Sequence, residues 1–236
     1  MSNKTAKKRF TDQLISLAKK HSYYGINIDF EAVNPEDRAA YSNFIQYVSQ
    51  ALNKKHIKTM VSVPVPKAPM IKMMTGAGTY DYAKIGKYAD FVQVMTYDEH
   101  GIWGEPGSVA STNWIKSSLQ FSVKKIKANK VIMGIPAYGY DWDVKDGSAS
   151  TIREWNELKS LIQKQKAKPA FNKKSGSMTF SYVDKKKHKH VVWYENEKTV
   201  QTKSHLAKQY KIAGVSVYAL GNESESFWKA IRKGTK

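Results

Sequence analysis

The stretch Tyr24-Gly25-Ile26-Asn27-Ile28-Asp29-Phe30-Glu31 has two faces when read at period two. Ile26, Ile28 and Phe30 fall on one side; Gly25, Asn27, Asp29 and Glu31 fall on the other. Two carboxylates at i, i+2 repel each other, and polar groups on a core-facing strand need partners. An edge strand with a solvated acidic face would satisfy the pattern. The flanks argue otherwise, because an amphipathic helix precedes the strand and another follows it, as in a parallel sheet. In such proteins, polar residues at the carboxyl end of a strand are where chemistry is expected.

Working outward, residues 6–21 predict a helix with Phe10, Leu14, Leu17 and Ala18 on one stripe. After the strand, Asn34 and Pro35 open a second helix reaching about Asn53, with Tyr41, Phe44, Ile45, Val48 and Leu52 on its buried side. Ile57–Val65 is a β-branched second strand, ended by Pro64 and Pro66, with Pro69 in the loop beyond. Tyr80–Tyr88 is a short helix and Phe91–Tyr97 a third strand. Asp98–Ser111 is a loop rich in glycine and aromatics, as binding loops are. Asn113–Ile126 is helical; Val131–Pro136 is a fourth strand running into Ala137–Trp142; residues 152–163 read as helix. Met178–Tyr182 and His190–Tyr194 read as two short strands around a basic turn, an α+β excursion over residues 143–197. Thr199–Tyr210 is helical, Val215–Ala219 a fifth strand, Ser224–Arg232 a closing helix. Repeated strand–helix units give an α/β fold. No glycine-rich phosphate loop follows the first strand, which disfavours a dinucleotide-binding sheet; between a barrel and an open parallel sheet, the barrel is the preferred reading.

The 236 residues suffice for one large domain or two small ones. Hydrophobic residues at 41% and aromatics at 12% exclude a disordered chain. There are no cysteines, so no disulfides. No apolar run approaches the ~20 residues that span a bilayer. Met1–Lys20 lacks the apolar core of a signal peptide. The net charge is +19, and nine lysines crowd into Lys164–Lys189. That balance suits adhesion to polyanions, or a solvated surface, but no nucleic-acid-binding motif accompanies it. His188 and His190 lie in the lysine-rich turn, where solvated histidines are the expectation and a metal site is not. No metal or organic cofactor is implied.

The opening stretch resembles the signature of the family 18 glycoside hydrolases, roughly Asp-Gly-x-Asp-x-Asp-x-Glu, with Tyr24 at the first position and Asn27 at the second acidic one. Gln93-Val94-Met95-Thr96-Tyr97-Asp98 resembles the family's sixth strand. Glu99-His100, Trp103-Gly104-Glu105-Pro106-Gly107, Gly134–Tyr140, Val192–Asn196 and Gly214–Gly221 are similar to one branch, the cortex-lytic N-acetylglucosaminidases of spore germination. The resemblance spans nearly the whole chain. It implies a (β/α)8-barrel family fold, with strands four to eight present and a small α+β insertion before the last. Residues 1–236 would be a partial catalytic domain. Such a barrel takes about 250 residues and cannot close on five strands. The expectation is a truncated product, a domain fragment or one piece of an assembly, with an open edge where an amino-terminal segment or a second copy would pair.

The resemblance also implies the chemistry. Ordinary retaining glycosidases use two carboxylates about 5 Å apart, whereas this family lets the sugar's 2-acetamido oxygen attack. Glu31 would be the general acid and then base, Asp29 would hold the acetamido N–H, and Tyr97 would donate to the acetamido oxygen. Proximity of the two acids should raise the pKa of the pair. Asn27, Gln93, Met95, Asp98, Glu99, His100, Tyr138, Tyr140, Glu195 and Tyr218 are the candidate substrate contacts. Tyr140 reads equally as core, and Tyr218 stands where much of the family has tryptophan. The substrate would be peptidoglycan or a chitin-like polysaccharide, at the cell wall, on the spore or outside the cell. Two other readings remain at this level: a carbohydrate-binding protein without turnover, and a basic remnant that only binds wall polyanions.

Overall fold

The computed structural model describes residues 3–66, 76–221 and 223–236. The chain forms two compact units. One comprises Met1–Met95, Ser118–Ile132 and Lys211–Ala213; the other comprises Thr96–Ser117, Met133–Tyr210 and Gly214–Lys236.

The first unit begins with helix α1 (Lys4–Lys20), started by Asn3, whose side chain accepts from the Ala6 N–H at 2.9 Å. Strand β1 (Gly25–Ile28) follows. A 3₁₀ turn at Pro35–Asp37 leads into α2 (Arg38–Asn53), then β2 (Lys58–Pro64). The loop expected around Pro69 lies outside the described residues. Short helices α3 (Gly76–Thr79) and α4 (Tyr82–Tyr88) precede β3 (Phe91–Met95). Helix α2 buries Tyr41, Phe44, Ile45, Val48 and Leu52, the stripe that its spacing predicts. Each such side chain contributes about 1.5–3 kcal/mol. Phe30 stacks on Phe44 at 5.5 Å and meets Phe10 edge-on at 6.1 Å, tying the end of β1 to both helices. β1 pairs with β2, and β2 with β3, all in parallel. Among the described residues no strand pairs with the other side of β1. The approach of β1 to β2 requires Gly25, because a Cβ there would sit 2.7 Å from the Lys58 carbonyl oxygen.

Helix α5 (Thr112–Lys125) and strand β4 (Val131–Pro136) contribute residues to both units. The second unit continues with β5 (Tyr138–Asp143), β6 (Thr151–Glu154), α6 (Trp155–Lys164), β7 (Ala170–Asn172), β8 (Ser177–Val183), β9 (Lys189–Tyr194), α7 (Glu197–Gln209), β10 (Gly214–Tyr218) and α8 (Glu225–Thr235). β10 lies beside the end of β4, where the Ala137 N–H donates to the Tyr218 carbonyl at 2.8 Å. β5 to β9 form a separate antiparallel sheet in the order β6-β5-β9-β8-β7.

The architecture is therefore α/β of the (β/α)8-barrel type, with five strands of the barrel kind among the described residues. Three expectations change. The inserted sheet has five strands, not two, because Tyr138–Asp143 alternates aromatic and small or acidic residues at period two and pairs on both edges. The helix expected from residue 152 starts at Trp155. Thr151–Glu154 is drawn into the ladder opposite Tyr138–Asp141, which suits its β-branched Thr151 and Ile152. The ladder of β1 stops at Ile28, so Asp29 and Glu31 project from the segment just past the strand.

Candidate active site

In the first unit, the parallel register gathers a row of polar side chains. Asn27 of β1 shares a face with Ser62 of β2, and Ser62 lies directly opposite Gln93 of β3. The Asn27 amide donates to the Ser62 hydroxyl at 3.0 Å. Met95 continues that face opposite Pro64, and the alternation extends it to Asp29 and Glu31. The register thus brings Asn27, Gln93 and Met95 to the side that Asp29 and Glu31 occupy. Asp29 is exposed and accepts no hydrogen bond among the described residues. Its carboxyl is raised above the usual range by partial burial. The sequence also expected a rise, but from the charge of Glu31.

Tyr80 went unnoticed in the sequence. Its buried hydroxyl donates to the Phe30 carbonyl at 2.7 Å, between the two acids. Burial first, and then the charges of Glu31 and Asp29, push its pKa up, so it stays a neutral donor. Only its place at the start of a short helix was legible beforehand.

In the second unit, Tyr97, Tyr138, Tyr140 and Tyr218 form one aromatic cluster. The Tyr97 and Tyr218 rings stack at 5.4 Å, and Tyr138 stands edge-on to Tyr97, Tyr140 and Tyr218 at 6.5, 5.5 and 6.1 Å. Asp98 Oδ1 accepts the hydroxyls of both Tyr138 and Tyr140, the latter at 2.8 Å. Asp98 sits at φ +65°, a left-handed conformation that Asp tolerates better than most residues. Burial raises its carboxyl, while the two phenols act to lower it. Tyr138 and Tyr140 are buried, with both phenols pushed above their ordinary range by burial and then by Asp98. Tyr218 is 56% exposed and presents the open ring of the group.

Loop 98–111 is pinned at several points. Glu99 accepts the Ser111 N–H at 2.6 Å and the Ser111 hydroxyl at 2.9 Å, and its own N–H donates to the Val109 carbonyl at 2.9 Å. The Trp142 indole N–H reaches the Gly101 and Gly104 carbonyls at 3.1 and 3.0 Å. His100 Nδ1 lies 2.9 Å from the Ser108 carbonyl.

Glu195 is placed differently from the substrate contact expected for it. It is 1% exposed, and its Oε1 accepts from Lys203 Nζ at 2.6 Å and Ser177 Oγ at 2.8 Å. That is a buried ion pair, not a surface open to a ligand. The expectation of solvated histidines is also corrected. His190 Nδ1 is 2.8 Å from Asp141, on the face that β5 and β9 share, and His188, in the turn before β9, has its Nδ1 2.7 Å from Asp143.

The model of the glycosyl hydrolases family 18 matches residues 1–223. A Bacillus subtilis (strain 168) protein described as "uncharacterized glycosylase YvbX" is 93% identical over all of this chain, which covers 68% of that protein. The crystal structure of a chitinase from Chromobacterium violaceum superposes with a TM-score of 0.91 at 37% identity, over 98% of this chain and 72% of the other. That of the Bacillus megaterium spore cortex-lytic enzyme SleL gives 0.88 at 27%, over 98% of this chain. The chain spans about half, 54%, of that enzyme.

Proposed function

This chain belongs to the glycosyl hydrolases of family 18, and on that footing we propose that it supplies the acid–base machinery for cutting N-acetylglucosaminyl β-1,4 bonds in peptidoglycan, of spore cortex or vegetative wall. The observation that supports this is the polar row of the first unit ending in Asp29 and Glu31, with the Asp29 carboxyl raised.

In this reading Glu31 donates its proton to the glycosidic oxygen as the C–O bond breaks. The acetamido oxygen of the same sugar bonds to the anomeric carbon and forms an oxazolinium ion. Glu31, now a carboxylate, takes a proton from water as the water opens the ring and restores the original anomeric configuration. Asp29 holds the acetamido N–H, and its raised pKa lets it share a proton with its neighbour. Asn27 stands where chitinases place an acid that pairs with the Asp29 position. Here an uncharged amide stands at that position and pairs with Ser62 instead. By the resemblance Tyr97 would donate to the acetamido oxygen, and within its own unit Tyr218 offers its open ring to a sugar face. Tyr138 and Tyr140 orient those rings, with Asp98 taking their protons as hydrogen bonds.

Release of reducing ends from purified peptidoglycan tests the reading. Glu31→Gln should lower the rate by at least about 10²-fold, the worth of a general acid, with an unchanged unfolding curve. Undiminished release would remove Glu31 from the mechanism.

A further inference from the structure

Beside the tyrosine cluster, the second unit contains a cavity of about 330 Å³, in the size range of small-ligand sites. Asp98 belongs to the cluster, and its chain neighbours Glu99 and His100 line the cavity. Trp193, which also lines it, lies directly opposite Tyr140 in the β5–β9 ladder. Chain and ladder neighbours of the cluster thus line the cavity, which places the two next to each other.

The chemistry of the lining follows from which groups are already used. Both oxygens of Glu99 are taken by Ser111, so the cavity's carboxylate is engaged. A backbone carbonyl can only accept, so the proton shared with Ser108 O sits on His100 Nδ1, and Nε2 is the acceptor of that tautomer. That ring position depends on Gly107, where a Cβ would lie 2.4 Å from the imidazole. Asn172 Oδ1 accepts the Ser175 N–H and hydroxyl at 3.0 and 3.2 Å, which leaves the Asn172 amide nitrogen to donate. Lys174, at the β7–β8 turn, has no carboxylate within ion-pair distance among the described residues. The groups left over among the described residues are thus the Lys174 ammonium, the Asn172 amide donor, the whole side-chain amide of Asn113, one imidazole acceptor and an indole. Donors with a cation suit a carboxylate, the imidazole suits an amide or hydroxyl hydrogen, and the indole suits a sugar face.

Building on the reading of the chain as a peptidoglycan hydrolase, we propose that this cavity binds an N-acetyl sugar bearing a carboxylate substituent, next to the sugar held by the tyrosines. Lys174 and the Asn172 amide take the carboxylate and His100 Nε2 accepts from the ligand. The carboxylate comes either from the acid ether of the sugar itself or from a short peptide attached to it. A plain chitin oligomer lacks the group that the cavity is equipped to hold.

Calorimetric titration of the Glu31→Gln chain, which cannot consume its ligand, tests this. The probes are N-acetylglucosaminyl-N-acetylmuramic acid, its methyl ester, the same disaccharide carrying a dipeptide, and chitobiose. The free acid should bind about fivefold tighter than the ester, and Lys174→Gln should erase that difference while leaving chitobiose unchanged. A Lys174 dependence confined to the dipeptide-bearing probe would support the cavity with the peptide as the source of the acid. Equal binding of acid and ester, with no effect of Lys174→Gln on any probe, would overturn the proposal, as would equal weakening of all four. A chain with glutamate at position 31 that cleaves no glycan, alongside the expected isotherms, would sink the hydrolase reading and leave the cavity standing.

Discussion

Two pairs of acids in this molecule share one spacing, and Asp29 of the first pair differs in its partners from both acids of the second. Asp29 and Glu31 project past the end of β1; Asp141 and Asp143 sit at the same i, i+2 interval on β5. Asp141 is fully buried and receives Arg153 at 2.9 Å, the Tyr182 hydroxyl at 2.8 Å and His190 at 2.8 Å. Asp143 receives His188 and the N–H groups of Lys145 and Asp146, each bond between 2.7 and 2.9 Å. Asp29 receives none among the described residues, and its carboxyl is raised. Spacing alone does not separate a carboxylate held by several donors from one that receives none; the donors the fold supplies do.

The largest expected break in that contrast is Asp141→Ala. It would leave a guanidinium, a phenol and an imidazole without their shared acceptor, at a cost of about 3–5 kcal/mol in denaturant unfolding. A change under about 1 kcal/mol would show that those donors find water instead. Next comes the other interior charge. Lys203, 1% exposed and lowered in pKa chiefly by burial, is held by Glu195. Lys203→Met should cost about 3 kcal/mol by stranding the glutamate, and adding Glu195→Leu should recover most of it. A double variant no better than the single would mean that packing, not charge, sets the loss.

A smaller effect follows from pH. Burial would raise the Asp143 carboxyl, but its backbone donors and His188 outweigh this and hold it down to about 2. A depressed carboxyl stabilises the fold above the unfolded value near 3.9, and that contribution is lost as pH falls toward about 2. The midpoint of urea unfolding should therefore decline through this window, and Asp143→Asn should flatten the decline. The smallest effect is Asp29→Asn. A raised carboxyl costs stability once ionised, so the variant should match the parent near pH 3 and slightly exceed it at pH 7. Turnover at pH 7 should fall all the same, which is the trade that separates this acid from Asp141.

The barrel strands were legible because Ile26-Ile28 and Val61-Val63 each alternate with other residues, and because the α2 stripe is regular. The acids were legible from spacing and resemblance together. Strand β5 was not, since Tyr138–Asp143 continues an apolar strand without a turn signal, and its aromatics suited a binding loop as well as a sheet. Glu195 was misread for a similar reason. A glutamate after Trp193-Tyr194 looks like a ligand contact until Lys203, eight residues further along, arrives beneath it from α7. Ser62 and Tyr80 depended on parallel register and on a carbonyl partner, neither of which periodicity reveals.

The Trp142 indole ties the inserted sheet to loop 98–111 through two glycine carbonyls. Segments far apart in the chain are thereby one module. Exchanging the insertion with that of a relative, without exchanging the loop, would strand an N–H in the interior. Chimeras that trade substrate preference must move both together, and natural variation in either is expected to covary with the other.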